Sequence, residues 1–204
     1  MLPLFLDVTG KRVVVVGGGP VGRRKAAAAA AAGAAVVVVD PRPLADLPGI
    51  EHVAEPYRAE HLAGARLVFA AAPPEVNARV AAEAAVRGIW VNTATDPAAG
   101  DVFVPAVVRS GGLTLAVGTG GAAPALARRV REKLEAEFDE TFAEWVRLLD
   151  EARPLVLQSV ADPGRRRALL DGFADWPWLA RLRAEGADAV RAAMHKLIEG
   201  ERGA

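Results

Sequence analysis

No cysteine occurs in the chain. Disulfides, thiolate metal sites and cysteine nucleophiles are thereby excluded, in keeping with a reducing cytoplasm. Histidine is scarce: His52, His61 and His195 show no i, i+4 spacing, so no metal site is expected. No apolar run is long enough to span a bilayer, because the longest Ala/Val stretches are interrupted by Gly33 and Asp40. The start, MLPLFLDVTGK, has no basic leader and a short apolar run broken by Asp7, so it is not expected to be a signal peptide. Neither charge sign dominates: 25 Lys and Arg balance 25 Asp and Glu. Without a basic excess, neither nucleic acid nor a membrane is an expected partner.

What is present points to an α/β chain. At 204 residues it has room for one good-sized domain and a smaller one. Alanine is abundant, notably over 26–32, which suits helices. Apolar, β-branched runs stand at RVVVVG (12–17), AAVVVVD (34–40), RLVFAAA (66–72) and GIWVNTA (88–94), with a shorter candidate, IEHVA, at 50–54. Continuous rather than alternating apolar runs suit strands covered on both faces. Their alternation with Ala-rich segments predicts βαβ units and a parallel sheet of the Rossmann type. VVRSGGLTLAVGT predicts one or two further strands around a Ser110-Gly111-Gly112 turn.

The remainder is expected to be helical. Leu126, Val130, Leu134, Phe138, Phe142, Trp145 and Leu149 recur at helical spacing and predict one long amphipathic helix opened near Pro124. Arg153-Pro154 predicts its end, and short helices follow, with Trp176 and Trp178 expected in their core. The expected division is a dinucleotide-binding domain over 1–110, a region with the long helix over 111–150 and a small helical domain over 151–204.

The sharpest motif is Gly17-Gly18-Gly19-Pro20-Val21-Gly22, a G-x-G-x-x-G between a Val run and a helix-forming stretch. Gly17 permits a tight turn, Gly19 lets backbone approach a pyrophosphate, and Gly22 lets helix and strand pack closely. The helix N-terminus, with Pro20 and Val21, supplies N–H groups for the phosphates. Asp40, 18 residues beyond Gly22, can bind ribose hydroxyls of NAD and repel the extra phosphate of NADP. Arg42, after Pro41, stands close enough in sequence to help a phosphate. Small residues at Ala71 and Ala72 would admit the nicotinamide ribose.

Ligands of such sheets lie beyond the carboxyl ends of the strands. Asp96, after the fourth strong strand, is placed where a general base for a dehydrogenation belongs, and Asp101 is the second candidate. Other chemistries are less supported. The single tyrosine, Tyr57, begins YRAEH, so no Tyr-x-x-x-Lys pair exists, and no Walker-type lysine follows the glycine loop.

Three stretches together carry a family resemblance: LPLFLDVTGKRVVVVGGGPVGRRKA, the Asn92 to Asp96-Pro97 loop, and GTGGAAPALARRVREKLE. They resemble precorrin-2 dehydrogenase, the module that also forms the N-terminal part of siroheme synthase, over about residues 1–150. The resemblance implies a Rossmann domain, a helical dimerisation region and a small helical domain. The stripe at 126–149 would then form a homodimer surface. It also implies oxidation of precorrin-2 to sirohydrochlorin with NAD accepting hydride. One alternative is a bifunctional enzyme that also inserts ferrous iron as a second substrate; another is a non-catalytic NAD-sensing module. The family places its catalytic aspartate three residues after the loop asparagine, where this chain has Thr95, followed by Asp96. The base is then Asp96, Asp101 or absent from the mechanism. The family position of Thr119 holds a phosphorylatable serine in siroheme synthase. A substrate rich in carboxylates needs cations and oriented N–H groups. Asn92, Thr95, Arg109, Thr119, Gly120, Gly121 and Arg128 are its candidate binding residues, with Arg131 beside them.

Overall fold

The computed structural model describes residues 1–44 and 47–201. The chain divides into two compact units between Val104 and Pro105.

In the first unit five parallel strands stand in the order β3-β2-β1-β4-β5. They are β1 (Arg12–Val16), β2 (Ala35–Val39), β3 (Glu51–Val53), β4 (Leu67–Ala70) and β5 (Trp90–Thr93). Helix α1 (Pro20–Ala31) links β1 to β2, and α2 (Pro74–Val86) links β4 to β5. All four strong runs and the weaker IEHVA candidate become strands.

The register sorts side chains by parity. Val38, Val15, Phe69 and Asn92 stand in one row, and Val39, Val16, Ala70 and Thr93 in the next. Val13, Val15, Val36, Val38, Leu67 and Phe69 are buried with Ala26 and Ala29 of α1. Val14, Val16, Val37, Val39, Val68 and Val91 are buried with Val80, Ala81 and Ala84 of α2. Burial on both faces explains why the strands are apolar throughout. The direction of strand addition reverses between β1 and β4, leaving a crevice beyond their carboxyl ends.

The second unit begins with an antiparallel hairpin, β6 (Ala106–Ser110) and β7 (Leu113–Val117). Gly111, at φ 56°, takes the left-handed conformation its two-residue turn needs. Five helices follow: α3 (Pro124–Glu137), α4 (Glu140–Ser159), α5 (Pro163–Phe173), α6 (Trp176–Glu185) and α7 (Ala187–Gly200). Their core is built on Phe142, Trp145, Leu148, Val156, Phe173, Leu182, Val190 and Met194.

Three expectations fail in this unit. The long stripe is two helices, not one: α3 ends at Phe138, and Asp139 starts α4 by accepting the Phe142 N–H at 2.9 Å. The apolar spacing continues across this break because Phe138 and Phe142 still pack edge-on at 4.8 Å between centroids. Pro154 lies inside α4 rather than ending it. The bond it forfeits and its steric clash are offset by burial of Ala152 and Val156 on either side. Trp178 packs against the core, as expected, but Trp176 is 62% exposed and leans on Phe142 and Trp145 from outside.

Candidate dinucleotide site and strand-edge network

The three motif glycines do three different things. Gly17 has φ 103°, and a Cβ there would stand 2.4 Å from the Ala71 carbonyl oxygen. A Cβ on Gly22 would stand 1.8 Å from the Gly17 oxygen. Gly19, by contrast, faces open space, with no atom within 4 Å of a Cβ position. Two glycines are therefore required by the protein itself, and the third leaves room for something else. Gly19 is also the N-cap of α1, which has no side-chain cap and no acidic residue in its first turn. An uncapped N-terminus beside open space suits a pyrophosphate.

A cavity of about 470 Å³ adjoins this loop, lined by Gly18, Gly19, Pro20, Arg23, Arg42, Pro43 and Leu44. Val21 is exposed beside it. Ala71 and Ala72, both half-buried, continue the end of β4, and the Ala71 N–H donates to the Val16 oxygen at 2.8 Å. The motif glycines, Asp40, Arg42 and the alanines thus meet at one strand edge.

Asp40 is buried, at 3% exposure. Its Oδ2 accepts from the Gly18 N–H at 2.7 Å and from Arg42 Nη2 at 2.9 Å. Its Oδ1 accepts from the Arg42 backbone N–H at 2.9 Å and from Arg42 Nε at 3.0 Å. The Arg42 guanidinium, with the two backbone donors, holds the Asp40 carboxyl well below the usual carboxylate range against the opposing effect of burial. Pro41 joins the two residues and leaves the bond from Arg42 N–H as a tight Asx-type contact.

At the far edge of the sheet, Asn77 of α2 is the organiser. Its Oδ1 accepts the Ala72 N–H at 2.9 Å, while its Nδ2 donates to the Ala72 oxygen at 2.8 Å and to Thr95 Oγ1 at 3.0 Å. One buried amide therefore fixes both the end of β4 and Thr95. The Thr93 hydroxyl donates to the Asp96 carbonyl. Asp96 is exposed, and its Oδ1 accepts the Ala98 N–H at 3.0 Å.

Asp101 has a different environment. Its N–H and that of Val102 donate to the Val91 oxygen at 2.8 and 3.0 Å, and its Oδ2 accepts the Val91 N–H at 3.3 Å. The segment supplies β5 with the partners that a sixth strand would otherwise give. Asn92 faces α1: its Oδ1 accepts from Lys25 Nζ at 2.6 Å and its Nδ2 donates to the Val102 oxygen at 2.6 Å. Burial and then Arg24 push the Lys25 ammonium below its ordinary pKa.

Lys25, Asn77 and Arg23 are the contributors that residue-by-residue reading missed. Arg23 and Lys25 stood in the quoted GRRKA stretch. Asn77 could have been noticed as a lone amide in the first turns of an otherwise apolar and charged helix.

The remaining candidates lie in the second unit. Arg109 is exposed on β6, opposite Thr114. Thr119 Oγ1 accepts the Ala123 N–H at 3.3 Å, ahead of α3, and Gly120 and Gly121 take φ values of 64° and 84°. Arg128 is exposed and approaches Glu132 at 3.8 Å, while Arg131 pairs with Glu135 at 3.0 Å. Among the described residues, no three His, Cys, Asp or Glu side chains gather as a metal site.

Comparison with known proteins places this geometry. Residues 110–137 match the model described as sirohaem biosynthesis protein central. Siroheme synthase of Gluconacetobacter diazotrophicus is 38% identical over 144 residues, which is 70% of this chain and 31% of that protein. Siroheme synthase of Pseudomonas entomophila is 38% identical over 154 residues, 74% of this chain and 33% of that protein. The chain thus spans about a third of the length of these relatives. The solved structure of SirC, precorrin-2 dehydrogenase, has a TM-score of 0.80 and 26% identity, covering 98% of this chain and 100% of that one. Residues 4–106, which hold the glycine loop, Asp40 and the strand-edge network, match the model described as putative NAD(P)-binding, and the chain belongs to that family.

Proposed function

We propose that the chain is an NAD-dependent precorrin-2 dehydrogenase, oxidising precorrin-2 to sirohydrochlorin in siroheme biosynthesis. The observation that carries this is the likeness to SirC along nearly the whole chain at a TM-score of 0.80, joined to a glycine loop whose Gly19 face is open for a dinucleotide.

The reaction removes two hydrogens from the substrate, one as hydride and one as a proton. NAD, when bound, supplies the hydride acceptor. The chain's own residues supply the rest. Gly19 and the uncapped start of α1 hold the pyrophosphate. Asn77 fixes Ala72 and Thr95, which border the strand edge. Asp96, oriented by the Ala98 N–H, takes the proton. Thr95 Oγ1 already accepts from Asn77, so its own hydroxyl hydrogen is available to a substrate carboxylate. Asp101 serves the β5 edge rather than the chemistry.

The same reading carries a cytoplasmic homodimer, with ferrous iron as a second substrate if the protein is bifunctional. Among the described residues no helix is long and apolar enough to cross a membrane. The test is anaerobic incubation of precorrin-2 with NAD, followed by NADH absorbance. NADH formation in step with sirohydrochlorin supports the assignment. Bound NAD without turnover of fresh substrate would replace it with the sensor reading.

A further inference from the structure

Asp40 stands where a carboxylate ordinarily selects NAD by accepting the adenosine ribose hydroxyls and repelling a 2′-phosphate. A carboxylate offers about four acceptor positions. Here all four are filled by the Gly18 N–H and by the backbone N–H, Nε and Nη2 of Arg42. The acid is thus neutralised by a residue two positions along the chain before any ligand arrives.

The guanidinium that neutralises it is not itself buried. The Arg42 side chain is 72% exposed, and it lines the cavity beside the glycine loop. Arg23 lines the same cavity, its Nε donating to the Gly18 oxygen at 3.0 Å. Among the described residues lining it, the charged ones are these two arginines. The mouth of the adenosine pocket therefore presents two planar forks with N–H groups to spare, and phosphate is their natural partner.

We propose that Arg42 makes this chain a dual-coenzyme protein, accepting NADP beside NAD, with the 2′-phosphate held between Arg42 and Arg23. With NAD, the ribose hydroxyls displace the Arg42 fork from Asp40. With NADP, the fork stays and the phosphate binds its outer edge. Arg42 is a specificity-determining residue in this scheme and takes no part in hydride transfer.

The test is equilibrium binding of NADH and NADPH to the full chain, read by coenzyme fluorescence at low and moderate salt. No tetrapyrrole is needed, so the result is independent of whether precorrin-2 is the substrate. For the wild type, the two dissociation constants should lie within about tenfold of each other, and NADPH binding should weaken more steeply with salt. Arg42→Ala bares the Asp40 carboxylate. NADH binding should then hold or tighten while NADPH binding falls by at least about tenfold. Arg42→Gln, which keeps the side-chain stem, should move the ratio in the same direction and decides the matter if Arg42→Ala binds neither coenzyme. The proposal is overturned if the wild type prefers NADH by more than about a hundredfold, or if the ratio is unchanged in the folded variants.

Discussion

Lys25 Nζ donates to Asn92 Oδ1 at 2.6 Å, tying the first helix to the last parallel strand across 67 residues of sequence. The ammonium also lies 5.0 Å from the centre of the Phe69 ring, a cation–π distance. Through Asn92 Nδ2 and the Val102 oxygen, the contact reaches the end of the loop that carries Thr95 and Asp96. The lysine acts as a positioning residue: it sets which way the Asn92 amide faces, and that sets where the loop returns.

Removing the donor leaves a buried oxygen without its partner. Lys25→Met should cost about 1–3 kcal/mol of stability in urea unfolding, although the methionine refills part of the space. Lys25→Arg should recover most of that loss. If Lys25→Met is as stable as the wild type, the contact contributes nothing to holding the loop.

The glycine loop yields a contrast between two alanine substitutions. Gly22→Ala places a methyl 1.8 Å from the Gly17 oxygen, so α1 must move off β1. A loss of several kcal/mol, or failure to accumulate folded protein, is the expected result, in line with severe overpacking. Gly19→Ala meets open space and should unfold within about 1 kcal/mol of the wild type while weakening dinucleotide binding. Equal binding by Gly19→Ala and wild type would mean the pyrophosphate does not approach that face.

The two loop acids separate by what each touches. Asp96→Asn should lower anaerobic turnover about 10²–10⁴-fold if the carboxylate takes the proton, with thermal stability little changed. Asp101→Asn keeps an acceptor for the Val91 N–H and should turn over normally. Asp101→Ala should instead cost about 1 kcal/mol in stability. Full turnover in Asp96→Asn would remove base catalysis by that residue from the mechanism.

Acid should reveal the Asp40 pair. The folded pKa lies below the unfolded one, so the unfolded state binds more protons as pH falls. The stabilisation is complete above the ordinary aspartate range near pH 4 and is lost progressively below it. Asp40→Asn should flatten the acid limb of a stability–pH curve. An unchanged limb would mean that the Arg42 pair does not persist in solution.

Much of the fold was legible because its signals are local. Four runs of β-branched residues, a motif of glycines and a hairpin turn each announce themselves within a few positions. The helix break at Phe138–Asp139 was not legible in the same way, because aromatic residues on both sides keep a helical spacing while the backbone restarts. Pro154 misled in the opposite direction: a local breaker was overruled by burial around it. At the strand edge, the sequence pointed to residues that the fold brings near one another, but not to their partners. That Arg42 fills Asp40, that Asp101 closes the β5 edge and that Asn77 holds Thr95 depend on which atoms meet after folding, and spacing along the chain does not determine that.

The contact between Gly17 and Ala71 ties the glycine turn to the end of β4. The Ala71 backbone carbonyl, 54 positions later, lies so close to Gly17 that a Cβ there would stand 2.4 Å from its oxygen. The glycine turn after β1 and the end of β4 are therefore packed as one piece, and a side chain at Gly17 would push them apart. If the coenzyme pyrophosphate binds at this turn, its affinity reports on that long-range packing. Anything that loosens β4 should raise the coenzyme dissociation constant before it unfolds the first helix.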